Sequence, residues 1–243
     1  MNTSKLSFSQ ITKIAGIGYL IIFISGIYAN FFVLENLIVQ NNSSATVSNI
    51  LGNEFLFRIE VVTFLIMVIF DVVLTWALYI IFEPIDRNLS LLSALLRLVN
   101  CSIFGIALFH LLNVLQMLSG ADYLQAIGTS QLEANVMLSL QSFSDTWLIG
   151  LVFFGIHLLF LGQLIIKSGF VPKFIGVLLI IASLGYMTDS FANFLLSNYS
   201  EYKEIFQLIV IIPGIIGEFS FTVWLLKKHD SPGTINRNTV TAV

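Results

Sequence analysis

Residues 54–82 read EFLFRIEVVTFLIMVIFDVVLTWALYIIF. Glu54, Arg58, Glu60 and Asp71 are the only charged side chains in this run, and no apolar–polar alternation with a period of two passes through it. A helix that crosses a hydrocarbon core needs roughly 20 mostly apolar residues. A membrane β-strand needs roughly 10, with alternating character. The stretch therefore predicts a transmembrane α-helix and argues against a barrel. Glu83-Pro84-Ile85-Asp86-Arg87-Asn88 follows, and Pro84 supplies the stop, since it has no backbone N–H and cannot sit inside a helix without breaking a bond. A second apolar run, 89–118, begins at once. So short a turn makes the two helices antiparallel neighbours.

Working outward, four more runs have the same character: 11–33, 146–166, 172–196 and 204–226. The first is too long for the apolar part of a cleaved signal, and no convincing small-residue cleavage site follows it, so it reads as a retained anchor. Between the third and fourth runs, residues 119–131 are polar and 132–143 predict a short interfacial helix. Lys167-Ser168-Gly169 closes the fourth run and Pro172 opens the fifth. The expected fold is all-α, a polytopic transmembrane helical bundle of about six spans. One membrane domain, 1–230, is expected, with 231–243 a flexible cytoplasmic tail.

Composition agrees with this reading. Of 243 residues, 57% are hydrophobic and 10% charged, with a mean hydropathy of +0.92. That leaves too few polar residues to coat a soluble globule. The net charge of −3 and the absence of a basic run give no footing for nucleic acid. The single cysteine, Cys101, excludes an intrachain disulfide and reads as a packing residue.

Basic residues mark the cytoplasmic side of a membrane protein. Six spans put Lys5, Lys13, Arg87, Lys167, Lys173, Lys227, Lys228 and Arg237 on one side and leave Lys203, with Arg58 near the end of its span, on the other. An odd number of spans would mix the two sets. Both termini are therefore expected in the cytoplasm, and the protein in the inner (plasma) membrane with the lipid bilayer as its partner.

Charged side chains inside a bilayer cost on the order of a few kcal/mol each and usually face a partner or a cavity. At about 1.5 Å per residue, Arg97 lies roughly 12 Å from Leu89, Asp71 roughly 16 Å from Phe82, His157 roughly 15 Å from Lys167 and Glu218 roughly 14 Å from Lys227. These four ionisable residues from four spans share one depth near the midplane, and predict a polar layer that forms a ligand or proton pathway. Glu60, His110, Asp189 and Asn193 form a second set nearer the outer face, where Arg58 and Glu60 are expected to snorkel toward water. Ala182, Gly185, Asp189 and Asn193 share a face of the fifth span, as Gly214, Glu218 and Thr222 do on the sixth, and small residues there allow close helix approach. Pro213 frees a carbonyl one turn before that second stripe, which reads as a packing kink or as a broken helix at a binding site.

Other chemistries lack a signature. No His-Glu-x-x-His spacing or other metal-ligand pair occurs, and Arg97 in the layer would repel a cation, so no metal is expected. No Gly-x-Ser-x-Gly elbow or Gly-rich phosphate loop is present, no lysine sits mid-helix for a Schiff base, and no cofactor is implied. Lys13-Ile14-Ala15-Gly16 and Lys173-Phe174-Ile175-Gly176 open two spans alike, but the match fades within a few residues.

Several segments resemble one family: Ala15-Gly16-Ile17-Gly18-Tyr19-Leu20 with Ser25-Gly26-Ile27, Phe70-Asp71-Val72-Val73, residues 148–158 (LIGLVFFGIHL), Gly185-Tyr186-Met187-Thr188-Asp189-Ser190-Phe191 and Gly217-Glu218-Phe219-Ser220. They are similar to the bacterial domain-of-unknown-function family 4386, over about residues 11–227. The resemblance implies a six-span integral membrane protein and brings no activity with it. The sequence thus predicts a protein that binds, transports or senses a small molecule or ion through its mid-membrane polar layer. Two alternatives stand beside this: an intramembrane enzyme acting on a lipid or other apolar substrate, and a structural or interaction protein with a closed charge cluster.

Overall fold

A helix forms wherever the apolar runs were long, and the breaks fall where a backbone bond cannot be kept. The computed structural model describes residues 6–227, and no strand occurs among them. Its elements are α1 (Phe8–Ile27), which runs on as a π-helical stretch (Tyr28–Leu34) into a last turn α2 (Glu35–Leu37), α3 (Ser43–Gly52), α4 (Glu54–Phe82), α5 (Arg87–Met117), a 3-10 turn (Asp122–Ala126), α6 (Thr129–Ser168), α7 (Lys173–Leu195) and α8 (Tyr199–Leu226). Helices α1, α4, α5, α6, α7 and α8 are each long and apolar enough to cross a membrane. The expected tail, 231–243, with Lys5, Lys228 and Arg237, lies outside the described residues.

The caps are local chemistry. Asp86 stands just before α5 and its Oδ1 accepts the Leu89 N–H at 3.0 Å, satisfying a donor that the first turn leaves open. Its Oδ2 accepts from Lys167 Nζ at 3.0 Å, so the α4–α5 turn is tied to the end of α6. The Leu89 N–H first and Lys167 second hold the Asp86 carboxyl below its ordinary range. Gly169 takes φ +71° just past α6, the left-handed ending that glycine adopts without strain. Asn42 caps α3 through the Ala45 N–H at 3.0 Å.

One feature differs from expectation, and one of the two readings of Pro213 falls away. The predicted interfacial helix 132–143 and the fourth span are one helix, α6, of 40 residues. At about 1.5 Å per residue it is roughly 60 Å long, twice a hydrocarbon core. Pro213 does not break α8, which is continuous from Tyr199 to Leu226.

The chain clusters into two compact units. One comprises the chain up to Leu20, Val73–Arg97 and the chain from Phe154 on. Its buried apolar side chains include Leu74, Ile81, Phe82, Leu158, Leu161 and Phe221. Helices cross here with almost no space between backbones: a Cβ on Gly162 or on Gly176 would lie 2.6 Å from the other's carbonyl oxygen, and one on Gly185 would lie 2.7 Å from the Ile209 oxygen. Glycine is the residue that lets α6 meet α7, and α7 meet α8, so closely. The second unit is Ile21–Val72 with Leu98–Phe153, whose core joins Phe57, Phe64 and Met67 of α4 to Leu111 of α5, Phe143 of α6 and Ile50 of α3. The long helices leave large apolar side chains outward, as Ile205, Leu208, Ile212, Ile215 and Phe219 do on α8. A helix surface of that kind has lipid as its solvent.

Candidate functional site

Helix α5 buries one face along its length: Ser90, Ser93, Arg97 and Asn100, then Phe104, Ala107, Leu111 and Val114, at spacings of three and four. That is the period of a helix face. Its first half is polar and its second apolar, so the polar half needs partners inside the protein.

In the first unit the partners are specific. Arg97 is 1% exposed, and its Nη1 donates to His157 Nε2 at 3.0 Å and to the Tyr19 hydroxyl at 3.4 Å. The guanidinium carbon lies 5.2 Å from the Tyr19 ring centroid and 5.3 Å from that of Phe154, within cation–π range of both. Arginine has only donors. The His157 Nε2 beside it must therefore be the lone-pair nitrogen, and Nδ1 carries the proton. Nδ1 meets the Ser93 carbonyl oxygen and Ser93 Oγ, each at 2.9 Å, while Oγ donates to the His157 carbonyl at 3.4 Å. His157 is thus a neutral imidazole with both nitrogens engaged.

This arrangement bears on catalysis. A serine nucleophile needs the facing ring nitrogen to accept its proton and a third group to accept from the far side of the ring. Here the nitrogen facing Ser93 is a donor, and the far side holds Arg97. The Ser93 contacts hold the imidazole with its lone pair toward Arg97. Beside it lies a cleft of about 10 Å³ lined by Thr75, Tyr79, Ser90, Ser93 and His157, room for about one water molecule.

Further round this unit, Tyr186 packs edge-on against Phe154 at 5.2 Å and donates its hydroxyl to Glu218 Oε1 at 3.2 Å. Gly214, one turn before Glu218, leaves space for the Tyr186 hydroxyl, which a Cβ there would meet at 3.3 Å. Thr222 donates to the Glu218 carbonyl at 2.7 Å. The stripes expected on α7 and α8 are inside: Ala182, Gly185 and Asp189 are buried, as are Gly214, Glu218 and Thr222, with Asn193 half-buried. Asp189 accepts from the Tyr199 hydroxyl at 2.6 Å.

Asp71 belongs to the second unit. Its Oδ2 accepts from Asn100 Nδ2 and Cys101 Sγ, both at 3.3 Å, which gives Cys101 a polar contact besides packing. Arg58 reaches outward to Glu54 at 2.7 Å and is exposed, as snorkelling predicts. Glu60, two residues on, is fully buried instead. His110 is half-buried on α5. An open groove of about 370 Å³ in this unit is lined by Asn113, Gln116, Tyr123, Asn135 and Ser139, none of which sequence reasoning singled out. Among the described residues no group of three or more His, Cys, Asp or Glu side chains is placed to hold a metal ion.

A family model described as a domain of unknown function, DUF4386, matches residues 14–228. The chain belongs to the DUF4386 family. An uncharacterized protein of Archaeoglobus fulgidus is 31% identical to this DUF4386 protein over 169 residues, 70% of this chain and 83% of that one. No solved structure matches the chain. The match takes in every residue named in the two polar sets, which makes this DUF4386 protein a multi-pass membrane protein with a buried polar interior and no function assigned through its relatives.

Proposed function

We propose that this DUF4386 protein resides in the plasma membrane and binds a small molecule or ion within the bilayer, moving or sensing it by exchange of a cation, protons included, at buried carboxyls. One observation carries this reading. Among the described residues the buried side chains include four carboxyls, Glu60, Asp71, Asp189 and Glu218, against a single basic group, Arg97. His157 adds no charge, because Arg97 occupies its lone pair. One arginine can balance one carboxylate, and an ionised carboxylate left without a counter-charge in a water-poor interior is very costly. Four buried carboxyls against one guanidinium favour uptake of protons or of a cation from solution by part of this set. Groups that take up and release a cation inside a membrane are the working parts of coupled carriers and of ion sensors.

The test is purified protein in sealed vesicles with a pH-sensitive dye inside. An imposed cation or proton gradient should change the internal pH, and Asp71→Asn or Glu218→Gln should abolish the response while the protein still inserts. Vesicles that respond no differently from protein-free ones to gradients of Na⁺, K⁺, Mg²⁺ and protons would remove the carrier reading.

A second reading is favoured by the tightness around His157, where only about 10 Å³ is open. There the Arg97 group is a fixed brace between helices and binds nothing. It predicts that Arg97→Met with His157→Leu leaves every flux unchanged, whereas the carrier reading predicts loss.

A further inference from the structure

Glu60 differs from the other buried carboxyls. It is 0% exposed, and among the described residues neither carboxyl oxygen has a hydrogen-bond partner. Asp71, Asp189 and Glu218 each accept at least one hydrogen bond. The side chains three before, four after and seven after Glu60 on α4 are Phe57, Phe64 and Met67, which belong to the apolar core of the second unit. Glu60 therefore emerges from the middle of an apolar helix face.

Among the described residues no neighbour hydrogen-bonds this carboxyl. Of the titratable groups in this unit, Arg58 is exposed and bonded to Glu54, Glu133 takes a bond from Ser43, and Asp145 takes one from Gln141. Tyr28 and His110 are half-buried and Glu35 is exposed, and none of these is within hydrogen-bond reach of Glu60. An isolated carboxylate in such a place is far costlier than a neutral acid. A metal cation would be no remedy. Hard cations gather about six or more oxygen ligands; Glu60 alone supplies two, and among the described residues no group of three or more His, Cys, Asp or Glu side chains is placed to hold a metal. A proton is the one cation that a single carboxyl can hold unaided.

We propose that Glu60 is a proton-binding site of this membrane protein, a neutral carboxylic acid in the structure seen here that releases its proton only when this part of the core opens. The proposal rests on the cation-exchange reading above and assigns one exchangeable proton to a single residue. It also separates Glu60 from the buried carboxyls that accept hydrogen bonds.

Two measurements on the full-length protein in membranes test it. Infrared difference spectra between wild type and E60Q should show one protonated-carboxyl carbonyl band lost in the variant. Dicyclohexylcarbodiimide, an apolar reagent that needs a protonated carboxyl, should label Glu60 as read by peptide mass mapping, with labelling abolished in E60Q and unchanged by Na⁺ or Ca²⁺. Because glutamine mimics the neutral acid, E60Q should keep the wild-type melting temperature, and E60K should lose folded protein. Absence of the infrared band overturns the proposal whatever the reagent reaches, and protection by Na⁺ or Ca²⁺ overturns it in favour of a metal cation. Failure of the general carrier reading is a different result: no flux in wild-type vesicles, with the Glu60 band still present.

Discussion

Arg97 donates to the lone pair of His157 at 3.0 Å, deep inside the first unit, so a histidine of a long apolar helix serves as an acceptor for a buried guanidinium. Replacing His157 by leucine removes that acceptor and leaves a charged N–H facing apolar surface. The expected cost is about 2–4 kcal/mol of stability, since a buried charged donor without a partner loses the full desolvation penalty. His157→Gln, which offers an amide oxygen, should lose less. Thermal unfolding in detergent, followed by circular dichroism, measures both; equal stability of the leucine variant and wild type would show that Arg97 does not depend on this bond.

Asp86 gives a dependence on pH. Its carboxyl is held below the ordinary value of 3.8 by the Leu89 N–H and by Lys167. A carboxyl depressed by folding stabilises the native state above its unfolded value, and that contribution disappears as pH falls through the lower, folded value. Asp86→Ala should therefore melt below wild type at pH 7, and the gap should close as pH is taken well under 3.8. Asp86→Asn keeps a capping oxygen but loses the Lys167 pair, and should fall between the two at neutral pH. Melting curves across the pH range decide it.

The crossing of α6 and α7 is set by Gly162 and Gly176. Gly176→Ala places a methyl group 2.6 Å from the Gly162 carbonyl oxygen, so the helices must separate, at about 1–3 kcal/mol. Gly105→Ala is the control, because a Cβ there meets nothing within 4 Å. In a helix interior that change should be neutral or gain up to about 1 kcal/mol. The same unfolding assay reads both, and equal behaviour of the two alanine variants would mean that the close crossing is not needed for the fold.

Topology is tested by reporter fusions. Six spans with the basic residues inside place a reporter after Gln40 outside the cell and one after Lys227 in the cytoplasm. Reporters active on the same side at both positions would overturn the orientation, and with it the common depth assigned to Asp71, Arg97, His157 and Glu218.

The spans were legible because hydropathy reports lipid contact directly, and Pro84, Gly169 and Pro172 mark real breaks. Continuity of α6 was hidden for the same reason. Residues 129–145 are polar enough to interrupt an apolar run, but hydropathy does not measure helicity, and nothing in that stretch stops a helix. Asp71, Arg97, His157 and Glu218 stood out as ionisable residues inside apolar runs, and all four are buried. Their companions did not stand out: Tyr19, Phe154 and Tyr186 look like lipid-facing bulk in a chain with 22 Phe, and only a structure shows that they surround Arg97 and Glu218. One signal was available. Ser90, Ser93, Arg97 and Asn100 fall on a single helical face, and that stripe marks the side of α5 that turns inward. Glu60 was read with Arg58, two positions earlier, as reaching toward water, but Arg58 is exposed and Glu60 is fully buried.

The divided face of α5 also bears on how the protein is made. A span carrying Arg97 about a third of the way along, with Ser90, Ser93 and Asn100 on the same buried face, is a poor passenger for one-at-a-time release into lipid, where an arginine well inside a helix costs up to about 3 kcal/mol on insertion scales. Helix α4 has the opposite character, with a mean hydropathy of 2.5 over its best window against 1.9 for α5. The four-residue link, Glu83 to Asp86, keeps the two close together from the moment both have left the ribosome. Helices α4 and α5 would then enter the bilayer as a hairpin, the first supplying the affinity for lipid that the second lacks.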